Sequence, residues 1–188
     1  MKPLESLRGE HRVIAGVIDA LEDYGTRLEQ DASMSPSALK EFTTVLTEFA
    51  GIWHHGKEEE LLMPVLVQHG LAWDESPLQE IRQDHEQEDY LLRVIDHAAL
   101  QDGVWSAEDR RHAVRSLRAL VDFERKHMQK EETSLYPAAE QVLSADALQS
   151  LEKRCHEYER ACFGRIAYAD MRTLAESLVR RPDGDDQC

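Results

Sequence analysis

With 188 residues, 31% of them charged, only 6% aromatic and a net charge of −15, the chain has the size of one domain with its own core. That acidity excludes nucleic acid and anionic membrane as partners, because both need a basic face. No apolar run reaches the roughly 18 residues a membrane span needs, and the charged start Met1-Lys2-Pro3-Leu4-Glu5 is no secretion signal; a cytoplasmic protein is expected.

Helical periodicity runs through most of the chain. Leu4, Leu7, Ile14, Ile18, Leu21 and Leu28 step by three and four, with His11 in the same stripe. Ser35-Pro36 reads as a helix start, followed by Leu39, Phe42, Val45, Leu46, Phe49 and Trp53 on one side. Ser76-Pro77 repeats the start signal ahead of Leu78, Ile81, Leu92, Ile95 and Ala99. Ser106 to Asp109 resembles a capping box and opens a fourth helix through Val114, Leu117, Leu120 and Val121. Ser144 begins a fifth helical region to about Arg181, with Gly164 near its middle, and Pro182 to Cys188 read as a flexible tail. Cys155, Cys162 and Cys188 are odd in number and lack framework spacing, as reduced thiols do. No stretch alternates like a strand, so the fold class is all-α.

The chain is also duplicated. L-E-S-L-R-G-E-H, ending at His11, aligns with L-Q-E-I-R-Q-D-H, ending at His85. H-H-G-K-E-E-E-L-L-M-P from His54 aligns with H-M-Q-K-E-E-T-S-L-Y-P from His127. The offsets are 74 and 73 residues, so each half offers one lone histidine and one His-x-x-x-Glu.

Residues four apart share a helix face, so His54 with Glu58 and His127 with Glu131 each aim an imidazole and a carboxylate at one point. His11 and His85 lie on the apolar stripes. Four buried imidazoles and two carboxylates are hard to satisfy without metal, and the donor set suits iron, manganese or zinc. Six ligands exceed what one ion wants, while two carboxylates can bridge two, so a dinuclear site is expected. A single His-x-x-x-Glu is most often a solvated pair; it is the duplication in register that favours metal. His55 with Glu59 has the same spacing and rivals His54 with Glu58. The position matching His55 is Met128, which favours the His54/His127 column and leaves His55, Glu59 and Glu132 to orient the ligands' free N–H groups. His69, His97, His112 and His156 (with Glu152 and Glu159 nearby) read as solvated. Pro64 and Pro137 each follow a bridging glutamate by six residues and remove the donor for the carbonyls of Glu60 and Thr133. Both helices are therefore expected to kink or end there.

These residues resemble the hemerythrin-like (HHE cation-binding) domain over roughly residues 4 to 143, through His11, His54–Glu58, His85 and His127–Glu131. The resemblance implies an up-down-up-down four-helix bundle over 1–143; the helical region 144–181 lies outside that domain and is expected to pack on the bundle or at a dimer interface, with 182–188 a flexible tail. It implies two iron ions, oxo- or hydroxo-bridged when oxidised, with manganese or zinc as substitutes. Both glutamates would bridge, and the ligand would be dioxygen, nitric oxide or peroxide. Members serve as oxygen carriers, sensors and stress-defence proteins. One departure stands out: carriers place a further histidine four residues after the third-helix histidine, and here that position is Asp89. Glu88 also occupies the buried stripe, where the other half has Ile14. Glu88 and Asp89 are therefore candidates for an extra ligand or a proton relay. A protein of oxidative or nitrosative stress defence that binds or reacts with small oxidants is expected, with peroxide decomposition as its candidate reaction, monomer or homodimer; the alternative is an oxygen or iron sensor or a dioxygen-binding protein without turnover.

Overall fold

The computed structural model describes residues 3–30, 37–74, 77–100, 105–162 and 168–180, and every regular element among them is helical. The first helix, α1 (Pro3–Gln30), buries the side that carries Leu4, Leu7, His11, Ile14, Ile18, Leu21 and Leu28. A second helical stretch runs unbroken through α2 (Ser37–Val45), a π-helical segment π1 (Leu46–His55), a second segment π2 (Glu58–Leu62) and α3 (Met63–Gln68). It ends in a Schellman motif at Gly70, whose φ of 95° suits a residue without a Cβ. The Leu71 amide reaches the Leu66 carbonyl and the Gly70 amide that of Val67, each at 3.0 Å. The third helix is α4 (Pro77–Ala99), and the fourth runs through α5 (Ala107–Lys130), π3 (Glu131–Leu135) and α6 (Tyr136–Val142). Ser106 caps α5 by accepting from the Asp109 amide at 3.1 Å. The Ser35-Pro36 signal, Ser76, Gly164 and the 182–188 tail lie outside the described residues.

The four stretches close a ring: α1 packs on α5, α5 on α4, α4 on α2 and π1, and π1 back on α1. Each carries an apolar stripe interrupted by polar residues in the same layer. One core cluster holds Ile14, Ile18, Phe49, Leu92 and Val121; the other holds Leu4, Leu7, Leu62, Leu78, Ile81 and Leu135. On each helix, buried histidines and acids fall between the two clusters in sequence, so apolar layers bracket one polar layer. Such a layer is costly unless its groups find partners.

One expectation changes. The helices do not end at the prolines. Each widens instead: the Met63 amide reaches the Glu58 carbonyl and the Tyr136 amide reaches that of Glu131, an i→i+5 pattern. The extra residue in the turn absorbs the donor that proline lacks, and helical backbone continues into α3 and α6. Within the fifth region the described residues form α7 (Ala145–Cys162) and α8 (Tyr168–Arg180). Ser144 caps α7 by accepting from the Ala147 amide at 3.2 Å. Helix α7 packs on α1 and π2, and α8 on α1, α2 and π1. No described helix is long and apolar enough to cross a membrane.

Candidate metal centre

The polar layer draws its side chains from all four stretches. His11 comes from α1; His54 and His55 from the end of π1; Glu58 from the start of π2; His85 and Glu88 from α4; Glu124 and His127 from α5; Glu131 from the start of π3. All nine are buried, Glu58 and Glu131 completely. Three groups bring one ligand atom per residue within 4.8 Å of each other: His11, His54 and Glu131; Glu58, His85 and Glu131; and His55, His85 and His127.

Glu131 lies at the centre. Its Oε2 is 2.9 Å from His11 Nε2 and 3.8 Å from His54 Nε2, while its Oε1 is 3.1 Å from His127 Nε2 and 3.4 Å from His85 Nε2. Glu58 spans the same gap, with Oε1 3.9 Å from His54 Nε2 and Oε2 3.4 Å from His85 Nε2. The four Nε2 atoms of His11, His54, His85 and His127 therefore converge on two carboxylates that span both pairs.

Behind each of these imidazoles stands an acid. His11 Nδ1 is 2.9 Å from Glu132, His85 Nδ1 is 2.7 Å from Glu59, His54 Nδ1 is 3.0 Å from Glu10, and His127 Nδ1 is 3.6 Å from Asp84. For His11, His54 and His85 the acid is within hydrogen-bond distance, which makes the far nitrogen the N–H and turns the Nε2 lone pair inward; His127 Nδ1 has Asp84 near it and no hydrogen bond. Glu59 and Glu132 stand against the Nδ1 atoms of His85 and His11. Glu10 and Asp84, which precede His11 and His85, were visible as the matched acid of the duplication, but nothing in the sequence says they turn toward His54 and His127.

His55 lies beside the other imidazoles. Its ring stacks on His85 with centroids 3.8 Å apart, stands edge-on to His127 at 5.2 Å, and belongs with both in one candidate ligand group. The cause is π1: a wider turn separates consecutive side chains by a smaller angle, so His54 and His55 both face inward. The matching stretch at His127 is ordinary α-helix, and Met128 is only half-buried. Alignment of the halves misses this because the duplication does not extend to the π turn.

The halves differ elsewhere too. Tyr136, which matches Met63, donates its hydroxyl to Glu58 Oε1 at 2.8 Å and lies 3.2 Å from His11 Nε2. Glu88 Oε2 is 3.3 Å from His55 Nε2, and Glu88 faces Glu124, an acid the sequence reading passed over. Asp89 is exposed and pairs with Arg93 at 2.9 Å. Glu88, Asp89, His55, His85 and Glu59 together line a cavity of about 290 Å³. His69, His97, His112 and His156 are exposed, and His156 Nδ1 lies 3.3 Å from Glu159. Cys155 is buried, which pushes its thiol up to about 11.

Without metal, protons fill the centre. Burial alone would lower the histidines, but the Glu58 charge and the Glu10 bond raise His54 to about 9. The Glu131 and Glu58 bonds raise His85 to about 11, and the Glu131 charge raises His127 to about 10, each against the same burial cost. Burial followed by the charges of His85, His127 and His54 drives His55 well below its ordinary value. Glu131 goes well below its own; burial opposes this, and the His127 charge with the imidazole bonds outweighs it. Burial and then the Glu124 charge drive Glu88 well above the carboxylate range, and burial likewise raises Glu124.

The donors fit a cation. Buried His54 Nε2, His127 Nε2 and Glu58 Oε2 have no hydrogen-bond partner, and all three face the space between the imidazoles. A set of imidazole nitrogens and carboxylate oxygens suits iron, manganese or zinc.

Comparison with known proteins agrees. The model of the hemerythrin HHE cation binding domain matches residues 2–139. Uncharacterized proteins of Mycobacterium tuberculosis and Mycobacterium bovis are 23% identical to the chain over 164 residues, covering 87% of it. The chain spans 64% of the length of these relatives. No solved structure gives a significant match.

Proposed function

We infer the function from one premise: the chain belongs to the hemerythrin HHE cation-binding domain family. We propose that it is a dinuclear non-haem iron protein that reacts with small oxidants, decomposing peroxide in oxidative or nitrosative stress defence. The convergence of four Nε2 atoms on Glu58 and Glu131, with buried donors left unpartnered, carries the reading. His11 and His54 would hold one metal and His85, His127 and His55 the other, with Glu58 and Glu131 spanning both. Bound iron would supply the electron pair that such chemistry exchanges.

This chain's residues supply access and protons. The cavity beside His55 and His85 is small and admits a peroxide-sized ligand. In peroxide decomposition one peroxide is oxidised to dioxygen, and its two electrons and two protons convert a second into two waters. Glu88 holds a proton at the cavity wall and exposed Asp89 lines the same cavity, so the pair would carry protons inward. Tyr136 holds Glu58 through its hydroxyl and keeps that oxygen oriented.

The test is oxygen release from hydrogen peroxide by the iron-loaded protein, measured against the same concentration of free iron. Turnover should exceed free iron in the wild type and fall in Glu88→Gln, with a smaller fall in Asp89→Asn. Stable reversible oxygenation without peroxide turnover overturns the reading. An oxygen or iron sensor is the second reading, favoured by the packing of α7 against the ligand-bearing segment π2.

A further inference from the structure

Helix α7 lies beyond the 2–139 stretch that the family model matches, yet it reaches the turn that carries His54, His55 and Glu58. The Tyr158 hydroxyl donates to the Ile52 carbonyl at 3.0 Å, within π1. The same hydroxyl sits where a side chain at position 56 would go: a Cβ added to Gly56 would come within 2.1 Å of it. One residue along, the Lys57 ammonium donates to Glu159 Oε1 at 3.1 Å and also to Glu10 Oε1. The other oxygen of Glu10 is 3.0 Å from His54 Nδ1. Three contacts thus join Glu159 on α7 to a candidate metal ligand.

Burial makes the chain of contacts stiff. Lys57 and Glu10 are 1% and 3% exposed, so neither can turn to water when a partner is lost. The other half is built differently. Lys130, which matches Lys57, contacts Asp84 and lies 4.0 Å from Glu80, both on α4, and its side chain is 34% exposed. Both of its acids come from within the bundle, whereas Lys57 takes one of its two from α7.

We propose that α7 is part of the metal centre, with Glu159 a positioning residue that holds His54 through Lys57 and Glu10, so that the two metal positions are supported unequally. The inference rests on the dinuclear reading. With Glu159 neutralised, the Lys57 ammonium keeps one carboxylate partner, Glu10, and draws it away from His54. Loss of an orienting partner costs about 10- to 100-fold in metal affinity; three contacts removed from the ligand, Glu159 is expected at the lower end.

The experiment uses the full chain with Glu159→Gln, and with Glu157→Gln as an exposed neighbour on the same helix. In metal-free protein, the solvent exchange of the His54 and His127 Nδ1–H signals is followed by nuclear magnetic resonance. In protein loaded anaerobically with ferrous iron, the release of iron to a chelator is resolved into its phases. Glu159→Gln should speed exchange at His54 and not at His127, and should release one iron about tenfold faster with the other unchanged. Glu157→Gln should match the wild type. An unaltered His54 signal overturns the inference, as does equal acceleration of both irons with a lowered melting temperature, which is the mark of a merely structural role. Wild type that takes up no iron overturns the dinuclear reading instead, and the His54 signal still decides this one.

Discussion

His85 Nδ1 lies 2.7 Å from Oε1 of Glu59, an acid of the other half of the duplication. The reciprocal contact, His11 to Glu132, is 2.9 Å long, so each half orients the lone histidine of its partner. Glu59→Gln and Glu132→Gln should each cost about 10- to 100-fold in metal affinity, read by competition with a chelator. An effect of both substitutions below twofold would show that these acids do not orient the imidazoles.

His55 tests where the imidazole set ends. Its ring stacks on His85 within a candidate ligand group, so His55→Ala should leave about one metal per chain, as should His54→Ala. Metal analysis after anaerobic loading distinguishes the cases. Retention of two metals with an affinity loss of only about 10- to 100-fold would place His55 behind the ligands after all.

Protons and metal compete for the centre. Metal takes neutral imidazole, while His54, His85 and His127 hold their protons up to about 9, 11 and 10. Loading near pH 7 should therefore release about three protons, and affinity should rise with pH. The sign for the metal-free protein is opposite. These folded values lie above the unfolded 6.5, so the stabilisation is complete below pH 6.5 and is lost as pH rises through 9 to 11. The metal-free melting temperature should fall across that window. Titration in unbuffered solution checks the first outcome and thermal scans the second; loading without proton release contradicts both.

Glu88 makes a further stability prediction. Burial and then the Glu124 charge hold its carboxyl well above 4.5, so folding retains a proton that the unfolded chain gives up above that pH. Its contribution therefore becomes more destabilising as pH rises from 4.5. Glu88→Gln keeps the shape and removes the titration, so it should raise the metal-free melting temperature at pH 7 and leave it nearly unchanged at pH 4. A lowered value at pH 7 would contradict the assignment of the proton to this pair.

Much of the protein is determined locally. The apolar stripes of α1, α4 and α5, the Ser106 and Ser144 caps and the two His-x-x-x-Glu columns all follow from spacings of three and four residues on one helix face, which sequence displays directly. Tertiary structure decides what depends on through-space partners. Pro64 and Pro137 remove a donor whichever way the backbone responds; packing of the continuing helices into the bundle selects the π turn over a break. That turn brings His55 inward beside His54, which a comparison with Met128 in a regular α-helix could not reveal. Glu10 and Asp84 are ordinary helix acids until the bundle closes and sets them against His54 and His127. The contact of Glu159 with Lys57 joins residues 102 positions apart, and no local pattern encodes a separation of that size.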